Sequence, residues 1–112
     1  MASDLKLEAE MQIKRKDMPR MTIEEFSDAN NLVMTVRERR VAIGDPMRYC
    51  AHFDKCEVGG DGYLRAMNGN GATPEDAISD YAGRITLRLL VVGAHTPERR
   101  EIKVPRLISK LI

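Results

Sequence analysis

Apolar residues recur with a helical period in two segments of the chain. Over residues 22–30, Thr22 and Glu25 have the spacing of a capping box, which predicts a short helix that starts there. Over residues 74–86, Thr73 is a suitable N-cap and Pro74 is well placed in the first turn, which predicts the main helix. The buried stripe of this helix is expected to consist of Ile78, Tyr81, Ala82 and Ile85, continued by Leu89 at the same spacing.

Elsewhere apolar and polar positions alternate with a period of two, the pattern of half-buried strands. Three glycines within residues 59–62 predict a tight hairpin turn. The expected strands cover residues 32–41, 48–58, 63–67, 87–94 and 100–104. We therefore predict an α+β fold in which an antiparallel sheet of about five strands packs on the main helix, in the order α-β-β-β-α-β-β.

Glycines on either side of the main helix start invite a functional or a packing interpretation. Gly69-Asn70-Gly71 precedes the helix, as a phosphate-binding turn would, but Glu75 and Asp76 follow and no Walker lysine is present. We interpret this run as a capped turn. Gly83 lies inside the helix at a cost of about 1 kcal/mol relative to alanine, which suggests that another backbone passes close to it.

The length and composition of the chain predict one small domain. Its 112 residues are enough for a single modest core, with residues 1–20 as a flexible N-terminal arm and 21–112 as the domain. Eighteen Lys and Arg against 17 Asp and Glu give a net charge of +1, far from the excess of a general nucleic-acid-binding protein. No apolar run is long enough for export or membrane insertion, so we expect a cytoplasmic location.

Cysteine and histidine residues supply the only candidates for catalysis or metal binding. Cys50, His52, Asp54 and Cys56 would project from one face of a straight strand, but together they would span too far for one ion. A nucleophilic Cys50 or Cys56 could use His52 or His95 as a base, yet no elbow or oxyanion motif accompanies either thiol. We therefore expect reduced thiols, no metal, no cofactor and no enzymatic activity, with a small Cys50–His52 enzyme as an alternative.

Basic residues cluster on the first and last predicted strands. If these strands share a solvent face, their side chains form a stripe that could contact phosphates, although solvated strand faces also explain the pattern. The candidate nucleic-acid-binding residues are Arg37, Arg39, Arg40, Arg99, Arg100 and Lys103.

The apolar C-terminal tail predicts a further contact. We expect it to dock on the body of the domain or on a second copy in a homodimer. The candidate interface residues are Leu107, Ile108, Leu111 and Ile112.

Two runs of sequence resemble a family of small, uncharacterised phage and prophage proteins, over about residues 21–107. They are Gly69-Asn70-Gly71-Ala72-Thr73-Pro74-Glu75-Asp76-Ala77-Ile78 and Arg100-Glu101-Ile102-Lys103-Val104-Pro105-Arg106-Leu107. The resemblance implies an accessory protein in a bacterial host cell, without catalytic residues. From it we expect a non-enzymatic protein that binds a host or phage protein.

A looser resemblance joins residues 47–86 to the HicB antitoxin core. Its basis is the helix start in residues 71–77, which is similar to the Gly-Thr-x-Glu-Glu-Ala start of that family. The resemblance implies a β-β-β-α scaffold like that of double-stranded-RNA-binding domains. It also supplies the alternative function, a nucleic-acid-binding regulator or antitoxin-like protein.

Overall fold

The computed structural model describes residues 20–60 and 62–108 and has an α+β architecture, as the sequence predicts. Its two helices are α1 (Ile23–Asn30) and α2 (Pro74–Ile85). Its eight strands are β1 (Met21–Thr22), β2 (Met34–Glu38), β3 (Tyr49–Phe53), β4 (Cys56–Gly59), β5 (Gly69–Gly71), β6 (Leu89–Val92), β7 (Arg100–Lys103) and β8 (Leu107–Ile108). No helix in these ranges is long and apolar enough to cross a membrane. Most of the expected N-terminal arm lies outside the described residues.

The strands form two antiparallel sheets of three strands and one short parallel pair. The first sheet has the order β2-β3-β5 and the second β4-β6-β7, while β1 pairs with β8. The prediction of one strand over residues 48–58 is wrong, because the chain turns at Asp54 and Lys55 and leaves the first sheet for the second. Lys55 has a positive φ of 60°, which lets the chain reverse without a glycine.

The helices begin where the sequence predicts. The Thr22 hydroxyl accepts a hydrogen bond from the backbone N–H of Glu25 (3.1 Å), and the Glu25 carboxylate accepts one from the backbone N–H of Thr22 (3.1 Å). At α2 the Thr73 hydroxyl accepts from the N–H of Asp76 (3.1 Å). These bonds satisfy backbone donors that the first turn of a helix leaves without a partner.

The core lies between the helices and the inner faces of the sheets. Tyr81 on α2 meets Phe53 on β3 edge to face at 5.5 Å between ring centroids, and Phe26 on α1 lies 6.1 Å from Phe53 on another side. Ile85 and Leu90 are fully buried beside them. Burying an aromatic or aliphatic side chain of this size stabilises the fold by roughly 1.5–3 kcal/mol. This cluster therefore fixes α2 against the first sheet.

Three predictions around the second half of the chain are wrong. The predicted strand over residues 63–67 is reduced to one bridge, in which Val58 and Arg65 exchange backbone hydrogen bonds of 2.8 and 2.9 Å. The third strand of the first sheet is instead β5, the run interpreted above as a turn. Gly83 is not a site of close backbone approach within the described part of the chain, because a Cβ at this position would meet none of its atoms within 4 Å.

Candidate functional site

The first sheet has one face against α2 and one open face. Because side chains alternate along a strand, Phe53 and Ala51, which are fully buried, point toward the core, whereas His52 and Cys50 point the other way. The strand register places Arg37 of β2 opposite Cys50 of β3, and Cys50 opposite Asn70 of β5. These three side chains therefore form one row across the open face.

An open groove of about 530 Å³ follows this row, and we call it the Arg37 groove. The Arg39 guanidinium donates a hydrogen bond to the Asn70 side-chain oxygen across the groove (3.1 Å). No acidic side chain among the described residues pairs with Arg37 or Arg39, and the nearby Glu38 carboxylate lies 3.8 Å from the Arg48 guanidinium. The residues that line the groove are Arg37, Glu38, Arg39, Cys50, Asn68 and Asn70.

The two glycines of β5 allow the side of the groove that carries Asn68 and Asn70 to form. A Cβ on Gly69 would lie 2.2 Å from the Ala77 carbonyl oxygen, and one on Gly71 would lie 2.6 Å from the Ala77 backbone nitrogen. Only glycine lets the strand approach the helix so closely. The asparagines that alternate with these glycines then face away from α2, into the groove.

A carboxylate on α2 also holds β5 in place. One oxygen of Asp80 accepts hydrogen bonds from the Asn70 backbone N–H and from the Arg84 guanidinium, both at 2.8 Å. Burial alone would raise the pKa of Asp80, but these hydrogen bonds outweigh it and the pKa lies below its usual value of 3.8. Asp80 is therefore ionised at neutral pH and positions the backbone of Asn70.

The cysteine and histidine candidates lie on two sheets. Cys50 is buried at the floor of the Arg37 groove, whereas Cys56 belongs to β4 and lies with His52 and His95 around a separate depression of about 390 Å³. Burial raises the pKa of the Cys56 thiol to about 11, and the thiol donates a hydrogen bond to the Asp54 carbonyl oxygen (3.3 Å). Since the thiolate is the reactive form, Cys56 is a poor nucleophile at neutral pH. No three His, Cys, Asp or Glu side chains within residues 20–60 and 62–108 are grouped as metal ligands.

The predicted basic stripe divides between the two sheets. Arg37 lies on β2 in the first sheet and Lys103 on β7 in the second, so the first and last predicted strands do not share a sheet face. The Arg99 guanidinium pairs with the Glu101 carboxylate at 2.9 Å, and Arg100 donates to the Asn30 carbonyl oxygen at the end of α1. The exposed Arg40 follows β2 but does not line the groove.

The tail residues that the structure describes pack on their own chain. Leu107 is buried in the core, and its backbone N–H donates to the Thr86 hydroxyl (2.8 Å), while Ile108 is half-buried and pairs with Thr22. This places Leu107 inside the monomer and not on an exposed interface. Leu111 and Ile112 lie outside the described residues.

Asn68 and Asn70 are site residues that the sequence analysis missed. Their signal was the strict alternation Asn68-Gly69-Asn70-Gly71, which has the period of a strand with a glycine face and an amide face. We interpreted the run as a capped turn, because it directly precedes the helix start at Thr73 and Pro74. A comparison of the chain with protein-family models, curated proteins and solved structures finds no match.

Proposed function

We propose that this chain is a non-enzymatic nucleic-acid-binding regulator that contacts phosphates through the Arg37 groove. The single observation that carries the proposal is that Arg37, Arg39, Asn68 and Asn70 line one open groove, in which neither guanidinium is paired with a described carboxylate. The sequence resemblance adds the expectation of a phage or prophage accessory protein in the cytoplasm of a bacterial host.

Phosphate is the ligand chemistry that best matches these donors. A guanidinium presents a planar set of N–H groups that can bind two phosphate oxygens at once, and a side-chain amide supplies two further donors. Arg37 on β2 and Arg39 just after it are two residues apart in an extended segment, which places their Cα atoms about 6.6 Å apart, close to the spacing of successive phosphates in a nucleic-acid strand. Both arginines can therefore follow one backbone.

The same face supplies little for reading sequence. No aromatic residue of the described part of the chain lines the Arg37 groove, so these residues offer no platform on which bases can stack. Contacts to phosphates position a protein on nucleic acid but carry no direct sequence information. The proposal thus predicts binding of moderate affinity and low sequence specificity.

The test is fluorescence polarisation with labelled single-stranded and double-stranded RNA and DNA of mixed sequence. We expect the double variant Arg37→Gln/Arg39→Gln to bind more than about tenfold more weakly than the unchanged chain, since one hydrogen bond to a charged group is worth roughly 1.5–3 kcal/mol and the variant removes two charged donors. The matched control is Arg99→Gln/Lys103→Gln, which removes the same charge from the second sheet. No binding by the unchanged chain, or equal losses in both double variants, would refute the proposal.

A second candidate function, the binding of a host or phage protein, is favoured by apolar exposure in the loop between β2 and β3. Ile43 is fully exposed and Met47 is about half exposed, and the loop continues directly from Arg39. Exposed apolar side chains in a loop are common contacts for protein partners.

This candidate has its own test, a pull-down from bacterial lysate treated with nuclease. We expect a retained protein to be lost with Ile43→Ser/Met47→Ser and kept with Arg37→Gln/Arg39→Gln. The reverse pattern would contradict binding through this loop.

A further inference from the structure

The outer edge of β2 exposes a row of backbone hydrogen-bonding groups. The N–H of Asp54 donates to the carbonyl oxygen of Val33 (2.8 Å), and the N–H of Arg39 donates to the carbonyl oxygen of Arg48 (2.6 Å). In an antiparallel pair such bonds recur at every second residue, so the odd-numbered residues from 33 to 39 direct their backbone groups toward β3. The even-numbered residues Met34, Val36 and Glu38 therefore direct theirs away from it.

No strand within residues 20–60 and 62–108 pairs with this edge, because β2 is the terminal strand of its sheet. The edge contains no proline, no glycine and no bulge, while Arg37 and Glu38 give it two charged side chains, and Val33 just before β2 is 62% exposed. Natural sheets usually protect an outer strand with such devices, or cover it with another chain. The structure of β2 thus fits a strand that pairs with a partner.

We propose that the partner is a second copy of this chain, joined through antiparallel pairing of the two β2 strands. The segment that carries the alternating bonds runs from residue 33 to 39, and its midpoint is Val36. A twofold axis at Val36 gives the longest overlap and joins the outward backbone groups of Val36 to those of its copy. It also joins Met34 of each chain to Glu38 of the other.

This register avoids directly opposed like charges, and it makes the two Arg37 side chains diagonal neighbours. With Val36 on the axis, Arg37 lies opposite Thr35 of the other copy, and Arg39 lies opposite the exposed Val33. No like charges are directly opposed, whereas an axis at Arg37 would place two guanidiniums against each other, which destabilises a strand pair. Val33, which is exposed in the single chain, gains a neighbour in the pair.

The pairing would give the Arg37 groove a second half. The first sheet of one copy and the first sheet of the other would become one sheet of six strands. Arg37 and Arg39 of both copies would then lie on the same open face near the axis. This joint basic surface rests on the proposed function, whereas the strand pairing does not. A phosphate backbone that crosses the axis would contact both copies.

The experiment measures mass by light scattering and amide hydrogen exchange by NMR on the full chain, without nucleic acid. At high protein concentration we expect twice the 12.6 kDa mass of the chain and slow exchange at Val36 and Glu38, which should become fast as dilution releases the monomer. A monomer at all concentrations would overturn the proposal. So would a dimer in which the Val36 and Glu38 amides exchange rapidly.

Two proline variants, one a control for the other, test the strand pairing by mutation. Val36→Pro removes an outward N–H at the axis and should yield a folded monomer, as judged by circular dichroism. Glu101→Pro is the control, because it places proline at an outward position of the edge strand β7 in the other sheet and should leave the dimer intact. If Val36→Pro does not fold, hydrogen exchange on the unchanged chain decides. Fluorescence polarisation with the Arg37 and Arg39 variants tests nucleic-acid binding separately, so the strand pairing and the phosphate-binding groove can each fail without the other.

Discussion

The close contact between β5 and α2 makes Gly69 the most sensitive position in the site. In Gly69→Ala the added Cβ would lie 2.2 Å from the Ala77 carbonyl oxygen and 2.3 Å from the Tyr81 backbone nitrogen. Both atoms belong to the helix backbone, so no side-chain rotation can relieve the contact. The strand has to move away from the helix.

The size of this effect follows from the distances. Non-bonded atoms pack comfortably at about 3.5–4.0 Å, so β5 must shift by more than about 1 Å. Overpacking of this kind costs typically 1–3 kcal/mol, and because the clash is with backbone we expect about 3 kcal/mol, the upper end. The shift also pulls the Asn70 N–H away from the Asp80 carboxylate, 2.8 Å distant in the unchanged chain.

Gly83→Ala is the matched control, because it is the same substitution on the same pair of elements. It lies inside α2, has open space where the Cβ would go, and should stabilise the protein by up to about 1 kcal/mol. The assay is urea unfolding followed by circular dichroism. With a slope of about 1.5 kcal/mol per molar urea, the midpoint of Gly69→Ala should fall by about 2 M, and that of Gly83→Ala should rise slightly. Equal midpoints for the two variants would refute this description of the contact.

Three further predictions concern single side chains. Asp80→Asn should lower the free energy of unfolding by about 1 kcal/mol, since a partly exposed charged acceptor is lost. Because the folded-state pKa of Asp80 lies below the usual 3.8, its stabilising effect is present above that pH and should disappear as the pH falls through the folded-state pKa. The variant lacks this carboxylate, so its stability should lack this part of the pH dependence. Thr22→Ala should cost about 1 kcal/mol in urea unfolding, whereas Thr22→Ser, which keeps the capping hydroxyl, should cost less. Cys56 should react slowly with iodoacetamide at pH 8 and speed up as the pH approaches its folded-state pKa of about 11, and rapid labelling of the folded chain at pH 8 would contradict the burial of this thiol.

Local signals predicted the helices, whereas the division of the strands depends on distant contacts. The capping box at Thr22 and the N-cap at Thr73 act within four residues, so they can be read directly from the sequence. The reversal at Lys55 has no glycine or proline to mark it. The pairing of β4 with β6, whose partners are 30 to 36 residues away in the sequence, separates β4 from β3.

For the site, too, the local pattern along one strand was predictable and the order of the strands was not. The alternation along β2 predicted that Arg37 and Arg39 face the same way, and the structure places both in one groove. That Lys103 belongs to another sheet, and that Asn70 lies across from them, follows from strand order. Strand order is set by the packing of whole elements, which a single sequence does not display.

The salt dependence of nucleic-acid binding tests the central claim most directly. A plot of the logarithm of the dissociation constant against the logarithm of salt concentration has a slope of about 0.7–0.9 for each phosphate contact, so Arg37→Gln/Arg39→Gln should lower the slope by about 1.4–1.8. The control Arg99→Gln/Lys103→Gln should keep the slope of the unchanged chain. A slope near zero for the unchanged chain, or one that the Arg37 and Arg39 substitutions do not alter, would contradict phosphate binding in the Arg37 groove.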